Sequence, residues 1–321
     1  MSDRRGDIPR LTGLPALNAY LLFARDAVLC MQRLSQRHGP LVGVGQVLPV
    51  GRDKVHYLAS APEYARRVLS DPETFHTVGL VARGPRGSAQ RRLRRGIVSM
   101  NGPAHRHYRR LLAPPLRKAA VEAHAPGIAA AVASELDAWP VGQQADLFAL
   151  CRGLLRRIAL SQLFAAGDAA EACQVSDMIN EHLRMNTSKG VLACPVNLPG
   201  TPFRGMLRYA EKVETAVLAW AAQRQGQPRS DDLLSLVVNA PDETGRPIGQ
   251  EAVAGHVPTL FGAAYETCQS ALFWCLLLLH QHPAVAAALA EALRSEDEPP
   301  LLDQVVREAA RAQDVLEFRS E

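Results

Sequence analysis

The 321-residue sequence is poor in aromatic residues, which make up 5% of it, and nearly devoid of lysine: only Lys54, Lys118, Lys189 and Lys212 stand among 36 basic residues. Against 32 acidic residues this leaves a formal net charge of +4, too small a surplus for a dedicated nucleic-acid binder. CxxC pairs are missing. Cys30, Cys151, Cys173, Cys194, Cys268 and Cys275 fall at wide, irregular spacings, which argues against a zinc knuckle or a secreted disulfide framework and for reduced thiols in the cytoplasm. No metal site is expected. Uninterrupted apolar runs are also lacking. The first, Leu17 to Met31, is broken by Asn18, Arg25 and Asp26, so it reads as neither signal peptide nor anchor. Val257 to Leu279 is longer, but Glu266, Gln269 and Ser270 sit in its middle, and such groups are costly in lipid. A buried internal helix is expected there, and no membrane span.

What is present is a chain that is 47% hydrophobic, enough for a substantial core. Strand signals are confined to LVGVGQVL and VHYLA between Pro40 and Ala59, joined by Pro49, Gly51 and Asp53, which predict a β-hairpin. Gly43 and Gly45 begin a GxG pattern, but Leu48 stands where a dinucleotide fingerprint needs its third glycine, and no helix follows directly. From Pro62 onward the pattern is helical. Apolar i, i+3, i+4 spacing predicts helices over Pro126–Trp139, Leu147–Leu163, Ala169–Arg184, Phe203–Arg224 and Asp231–Val238. The Gly- and Arg-rich stretch from Thr77 to Met100 lacks a period and is expected to be a long surface loop. Its arginines, Arg83 to Arg95, are suited to phosphates or an acidic protein. Asn186 to Pro202, with three prolines, is expected to be a second loop. The fold class is therefore mainly α with a small N-terminal β-hairpin. Residues 1–60 form the N-terminal helix and hairpin and 61–321 the helical body of one domain.

Three constellations are chemically suggestive. In NGPAHRHYRR, Pro103 suits a first helical turn, so His105 and Arg109 share one face and can hold one anion together. His105 and His107 point apart, which disfavours a metal pair. In FGAAYETC, Glu266 and Thr267 interrupt an apolar face formed by Phe261, Ala264, Cys268, Leu272, Cys275, Leu276 and Leu279, and the small Gly262, Ala263 and Ala264 allow a flat ligand close to the backbone. The alternatives are that Thr267 bonds back to its own helix and that Glu266 meets a basic neighbour. Pro258 is expected to kink or restart this helix. The third constellation, Glu308-Ala-Ala-Arg311, is an i, i+3 pair of a kind common on helices.

Order and context give these pieces more weight than each has alone. Residues 266–293, ETCQSALFWCLLLLHQHPAVAAALAEAL, closely resemble the long central helix of cytochromes P450, including the HP that opens the next helix. NGPAHRHYRRLLAPPL, Asn101 to Leu116, resembles that family's HxxxR helix, and VVREAAR, Val305 to Arg311, is similar to its ExxR motif. The resemblance implies a haem-dependent monooxygenase acting on a small organic substrate. His105 and Arg109 would grip the haem propionates, with Ala263 and Ala264 against the haem. Glu266 and Thr267 would be the catalytic acid and alcohol that supply protons to dioxygen as its O–O bond splits. Glu308 and Arg311 would be a structural pair, and the loops at Thr77–Met100 and Asn186–Pro202 would cover the substrate. An acidic ferredoxin or flavodoxin would be the redox partner.

The sequence departs from the family pattern in places. Ala264 stands where glycine is usual, and Cys268 replaces a second Thr or Ser. After Arg311 the chain ends in AQDVLEFRSE, and none of its cysteines sits in an FxxGxxxCxG-like loop. The expectation is therefore a C-terminally truncated member without the haem-thiolate cysteine loop, impaired as a catalyst and with an apolar side of the central helix uncovered. The alternative is a haem-free helper that binds and activates a partner enzyme such as a glycosyltransferase.

Overall fold

The computed structural model describes residues 8–47, 55–77, 82–165, 170–225, 232–242, 244–295 and 299–316. They are mainly α-helical with one small three-stranded sheet. The chain divides into two compact units, residues 1–76 with 311–321, and residues 77–310.

The smaller unit begins with β1 (Arg10–Leu11), α1 (Leu14–Arg25) and α2 (Ala27–His38), then β2 (Leu41–Val44), β3 (His56–Ala59) and α3 (Pro62–Ser70). The apolar run from Leu17 to Met31 becomes two helices because Asp26 is extended and its side chain accepts from the Leu29 N–H at 2.8 Å, capping α2. The expected hairpin pairing is present: β2 and β3 are antiparallel, with Leu41 opposite Ala59 and Val44 opposite His56. The sequence pattern does not reveal β1, which is only two residues long and pairs in parallel with β2. Ala16, Ala19 and Val44 close a small core between α1 and the sheet.

The larger unit contains α4 (Ala89–Leu93), α5 (Gly102–Leu112), α6 (Lys118–Ala123), α7 (Ala125–Leu136) and α8 (Leu147–Ile158). It continues with α9 (Ala170–Thr187), α10 (Lys189–Ala193), α11 (Pro202–Ala222), α12 (Leu233–Val238), α13 (Gln250–Gln281) and α14 (Pro283–Ser295). α15 (Pro300–Leu316) follows and carries both Glu308 and Arg311. The core is built around the N-terminal half of α13. Val257 and Phe261 pack with Ile179 of α9, Val213 and Val217 of α11 and Leu234 of α12, all fully buried or nearly so. Removing each such side chain from water contributes about 1.5–3 kcal/mol. Phe164, at the end of a π-helical turn that extends α8, lies 5.6 Å ring to ring from Phe261, which is 5.1 Å from Tyr265.

Four expectations need correction. Thr77 to Met100 is not simply a surface loop: α4 lies within it, with Ala89, Gln90 and Leu93 buried. Five residues of helix are too few to display a period. Its Arg92 donates to both carboxylate oxygens of Glu214 at 2.6 Å, and Arg95 pairs with Glu251, so these two arginines serve internal contacts. The second loop, Asn186 to Pro202, likewise contains α10. Pro258 does not restart the helix, since α13 runs through it for 32 residues. The buried stripe of α13 is Ala254, Val257, Phe261, Tyr265 and Gln269, whereas Cys268 is exposed and Ala264 and Leu272 are half-buried. Among the described residues no single helix is long and apolar enough to cross a membrane. α13 and α14 pass that test only together, and they meet at 111°.

Candidate functional site

Glu266 and Thr267 lie in the middle of α13, just past its most buried turns. Consecutive helical residues point about 100° apart, and here that rotation separates the acid from the alcohol. Thr267 shares a solvent-exposed face with Ala263, four residues earlier, and its Oγ1 donates to the Ala263 carbonyl at 3.2 Å. The back-bonded alternative for Thr267 is therefore the one observed. Cys268 is exposed and Ala264 half-buried beside this face. Glu266 instead lines a cleft between α8, α9 and α13, together with Tyr265, Gln269 and Ser270. Solvent reaches Glu266 from the cleft, yet the surrounding walls push its carboxyl above the ordinary carboxylate range by desolvation. Among the described residues it makes no ion pair. Burial also raises the Tyr265 phenol to about 12, the nearby Glu266 charge adding to this and Arg152 and Arg156 opposing it.

α5 begins at Gly102, whose φ of +61° suits glycine, and Pro103 follows in the first turn as the sequence predicts. His105 is half-buried and Arg109 exposed, one turn apart. Among the described residues neither side chain has a hydrogen bond or an ion pair, so the two cation-capable groups are available to an anion. His107 faces elsewhere, its Nε2 lying 3.0 Å from the Pro241 carbonyl. Tyr108 stacks on His256 of α13 at 4.3 Å between ring centroids, which ties α5 to α13. His256 precedes Thr267 by about 16 Å of helix.

Several side chains that sequence reasoning missed are prominent in this unit. Arg152 and Arg156 of α8, and Asn180, Glu181 and Arg184 of α9, line the cleft beside Glu266. The four-residue spacing of the two α8 arginines is visible in the sequence, but nothing there shows that α9 faces them. His182 and Asn186 of α9 form a buried cluster with Gln90 of α4. His182 Nε2 lies 2.6 Å from Gln90 Oε1, and the Gln90 amide donates to Asn186 Oδ1 at 2.5 Å and to the Ala82 carbonyl at 2.9 Å. His256 is fully buried, and among the described residues neither of its ring nitrogens has a hydrogen-bond partner. The cysteines are all free. They lie on α2, α8, α9 and α13, with Cys194 at the end of α10.

Comparison with known proteins agrees with this architecture. The family model described as "Cytochrome P450" matches residues 9–320. Cytochrome P450 137 of Mycobacterium tuberculosis is 28% identical over 275 residues, covering 82% of this chain and 55% of that protein. The pentalenene oxygenase of Streptomyces avermitilis is 25% identical, covering 85% of this chain and 62% of its own length. The chain thus spans rather more than half the length of these relatives. Among solved structures, the retinoic acid-bound cyanobacterial CYP120A1 superposes with a TM-score of 0.74 at 22% identity, over 95% of this chain and 69% of that one. With a family match over almost every residue, a mainly helical fold and the HxxxR, acid–alcohol and ExxR motifs in order along α5, α13 and α15, the chain belongs to the cytochrome P450 family.

Proposed function

We propose that this chain supplies the distal wall and the propionate-holding helix of a haem monooxygenase that oxidises a small organic substrate. The observation that carries the reading is the Ala263–Thr267 face of α13, open to solvent beside a buried core and lined by small side chains. A flat macrocycle fits such a face. His105 and Arg109, unpaired among the described residues, would hold its two carboxylates through charge-assisted hydrogen bonds. No residue is assigned the axial position, because the cysteines lie on helices or at a helix end. When bound, haem supplies the redox centre at which dioxygen is activated.

The chain's own contribution is proton handling and shape. Glu266 faces the cleft, and its upward-shifted carboxyl keeps a proton more readily than a surface acid. Thr267 uses its hydroxyl hydrogen on the Ala263 carbonyl, leaving its oxygen lone pairs free to accept. Proton transfer between the two requires rotation of the Glu266 side chain or an intervening water, because they face different sides of α13. Glu308 and Arg311 on α15 are assigned a structural role. A ferredoxin or flavodoxin with acidic docking groups is the proposed electron donor.

The test is titration of the purified chain with haemin. A saturating Soret band in the wild type, weakened at least tenfold in affinity in the His105→Gln/Arg109→Gln double variant, is the supporting result. A folded protein that takes up no haem would refute the reading and favour a haem-free partner-binding role. That second reading has one specific observation behind it: Ala271 to Leu279 of α13, an apolar stretch, all retain part of their surface in solvent.

A further inference from the structure

Helix α1 of the smaller unit turns its small side chains inward and two of its leucines outward. Its buried positions are Ala16 and Ala19, whereas Leu14 is 74% and Leu21 60% exposed. Burial of apolar surface favours the opposite choice. At about 100° per residue, Leu14, Asn18, Leu21 and Arg25 fall within about 60° of one another, and all four are exposed. α1 thus presents a convex row of leucines that ends on a cation. Asn18 also lines a groove of about 520 Å³ between α1 and α2, with Leu22 and Leu34 in its walls and Arg33 and Arg37 at its edge. The row and the groove are therefore continuous. Arg33 and Arg37, four apart, share one side of α2 and are exposed. Arg25, Arg33 and Arg37 have no ion pair among the described residues. The one acid of the two helices, Asp26, is occupied in capping α2. All of these residues belong to the smaller unit.

We infer that this face of α1 and α2 docks on a membrane surface rich in anionic phospholipid. Leu14 and Leu21 enter the acyl layer, while Arg25, Arg33 and Arg37 meet the headgroup phosphates. α1 lies in the plane of that layer, because its 12 residues reach only about 18 Å and cannot cross a hydrocarbon core of about 30 Å. Charge selects this occupant. A second copy docked through the same patch about a two-fold axis would set the arginines of one copy against those of the other, whereas anionic headgroups neutralise them. Shape agrees, since a fluid layer accepts a convex row of leucines without a preformed cavity. The inference does not depend on haem.

The test is flotation of the purified full chain with large unilamellar vesicles, made either of equal parts phosphatidylglycerol and phosphatidylcholine or of phosphatidylcholine alone. Binding to the anionic vesicles is expected to be about tenfold or more tighter than to the neutral ones. Raising the ionic strength to about 1 M, where the Debye length is about 3 Å, should erase that difference. The double variants Leu14→Glu/Leu21→Glu and Arg33→Gln/Arg37→Gln should each weaken anionic binding about tenfold or more, with circular dichroism verifying their folding. Leu136→Glu, at an exposed apolar position of α7, should leave it unchanged. Absence of vesicle binding by folded wild type, or undiminished binding in either folded double variant, overturns the inference. So does an equal loss in Leu136→Glu, which would mark general adhesion of apolar surface. A dimer, seen by sedimentation without vesicles and dissociated by Leu14→Glu/Leu21→Glu, would assign the face to a second copy and also overturn it.

Discussion

Acidification should unfold this protein through two histidines. His182 and His256 are buried, and burial lowers both from an ordinary value near 6.5 to about 4. His182 Nε2 lies between Gln90 Oε1 at 2.6 Å and the Asn186 amide nitrogen at 3.1 Å. Among the described residues His256 has no hydrogen-bond partner, and its ring lies against Tyr108 instead. In the unfolded chain both return to about 6.5. Between those limits the unfolded state binds more protons than the native state, so stability rises with pH there. The contribution is fully present above pH 6.5, falls by up to about 1.4 kcal/mol per pH unit for each histidine, and is gone below about pH 4. Each histidine accounts for about 3 kcal/mol over the window, a large share of the roughly 5–15 kcal/mol that holds a typical domain together. Glu266 works in the opposite sense, because its raised pKa makes the native state take up a proton first as pH falls. The decisive quantity is therefore the difference between variants, not the absolute slope. Urea unfolding followed by circular dichroism at pH 7, 6, 5 and 4.5 should show a steeper loss of stability in the wild type than in His182→Gln or His256→Phe, the latter preserving the ring contact with Tyr108. If both variants follow the wild-type pH dependence, the assignment of acid sensitivity to these two rings is wrong.

Four further substitutions probe the packing. A Cβ on Gly255 would stand 2.7 Å from the Arg95 carbonyl carbon and 2.8 Å from the Gly96 nitrogen. Because backbone atoms cannot step aside, Gly255→Ala should cost about 1–3 kcal/mol in thermal unfolding, and an unchanged Tm would contradict that contact. Leu234→Ala, at a fully buried position, should cost about 2–5 kcal/mol in denaturant. Leu69→Ala, 85% exposed on α3, should stay within about 0.5 kcal/mol, and equal effects would misplace the core. Asp232 caps α12 by accepting from the Ser235 N–H at 2.9 Å and its hydroxyl at 2.7 Å. Asp232→Ala should therefore lower stability by about 1 kcal/mol, measured by the same urea titration.

Elements long enough to repeat a pattern were legible in advance. The β2–β3 pairing, α8, α9 and α11 follow from alternation and helical spacing, and the α13–α14 junction at Pro283 from the family resemblance. α4 and α10 were not, because five residues display less than two turns of period and their burial comes from tertiary neighbours. At the site, adjacency in the sequence marked Glu266 and Thr267 as a pair. Which of them faces α8 and α9 is decided by how α13 is rotated in its packing, and an apolar pattern so nearly continuous does not encode that rotation. The Gln90–His182–Asn186 cluster joins residues 92 positions apart, and nothing local announces such a partnership.

Pro258 lies inside α13 and brings no N–H, so the buried Ala254 carbonyl loses its ordinary helical donor. The missing bond falls among the helix's most tightly enclosed turns, and α13 continues through it. On the C-terminal side, from Ala263 onward, only Tyr265 and Gln269 of α13 are buried. α13 is thereby divided into a deeply enclosed inner segment and a half-buried outer one. Amides of the outer segment should exchange with solvent as a block, sooner than those of the inner one.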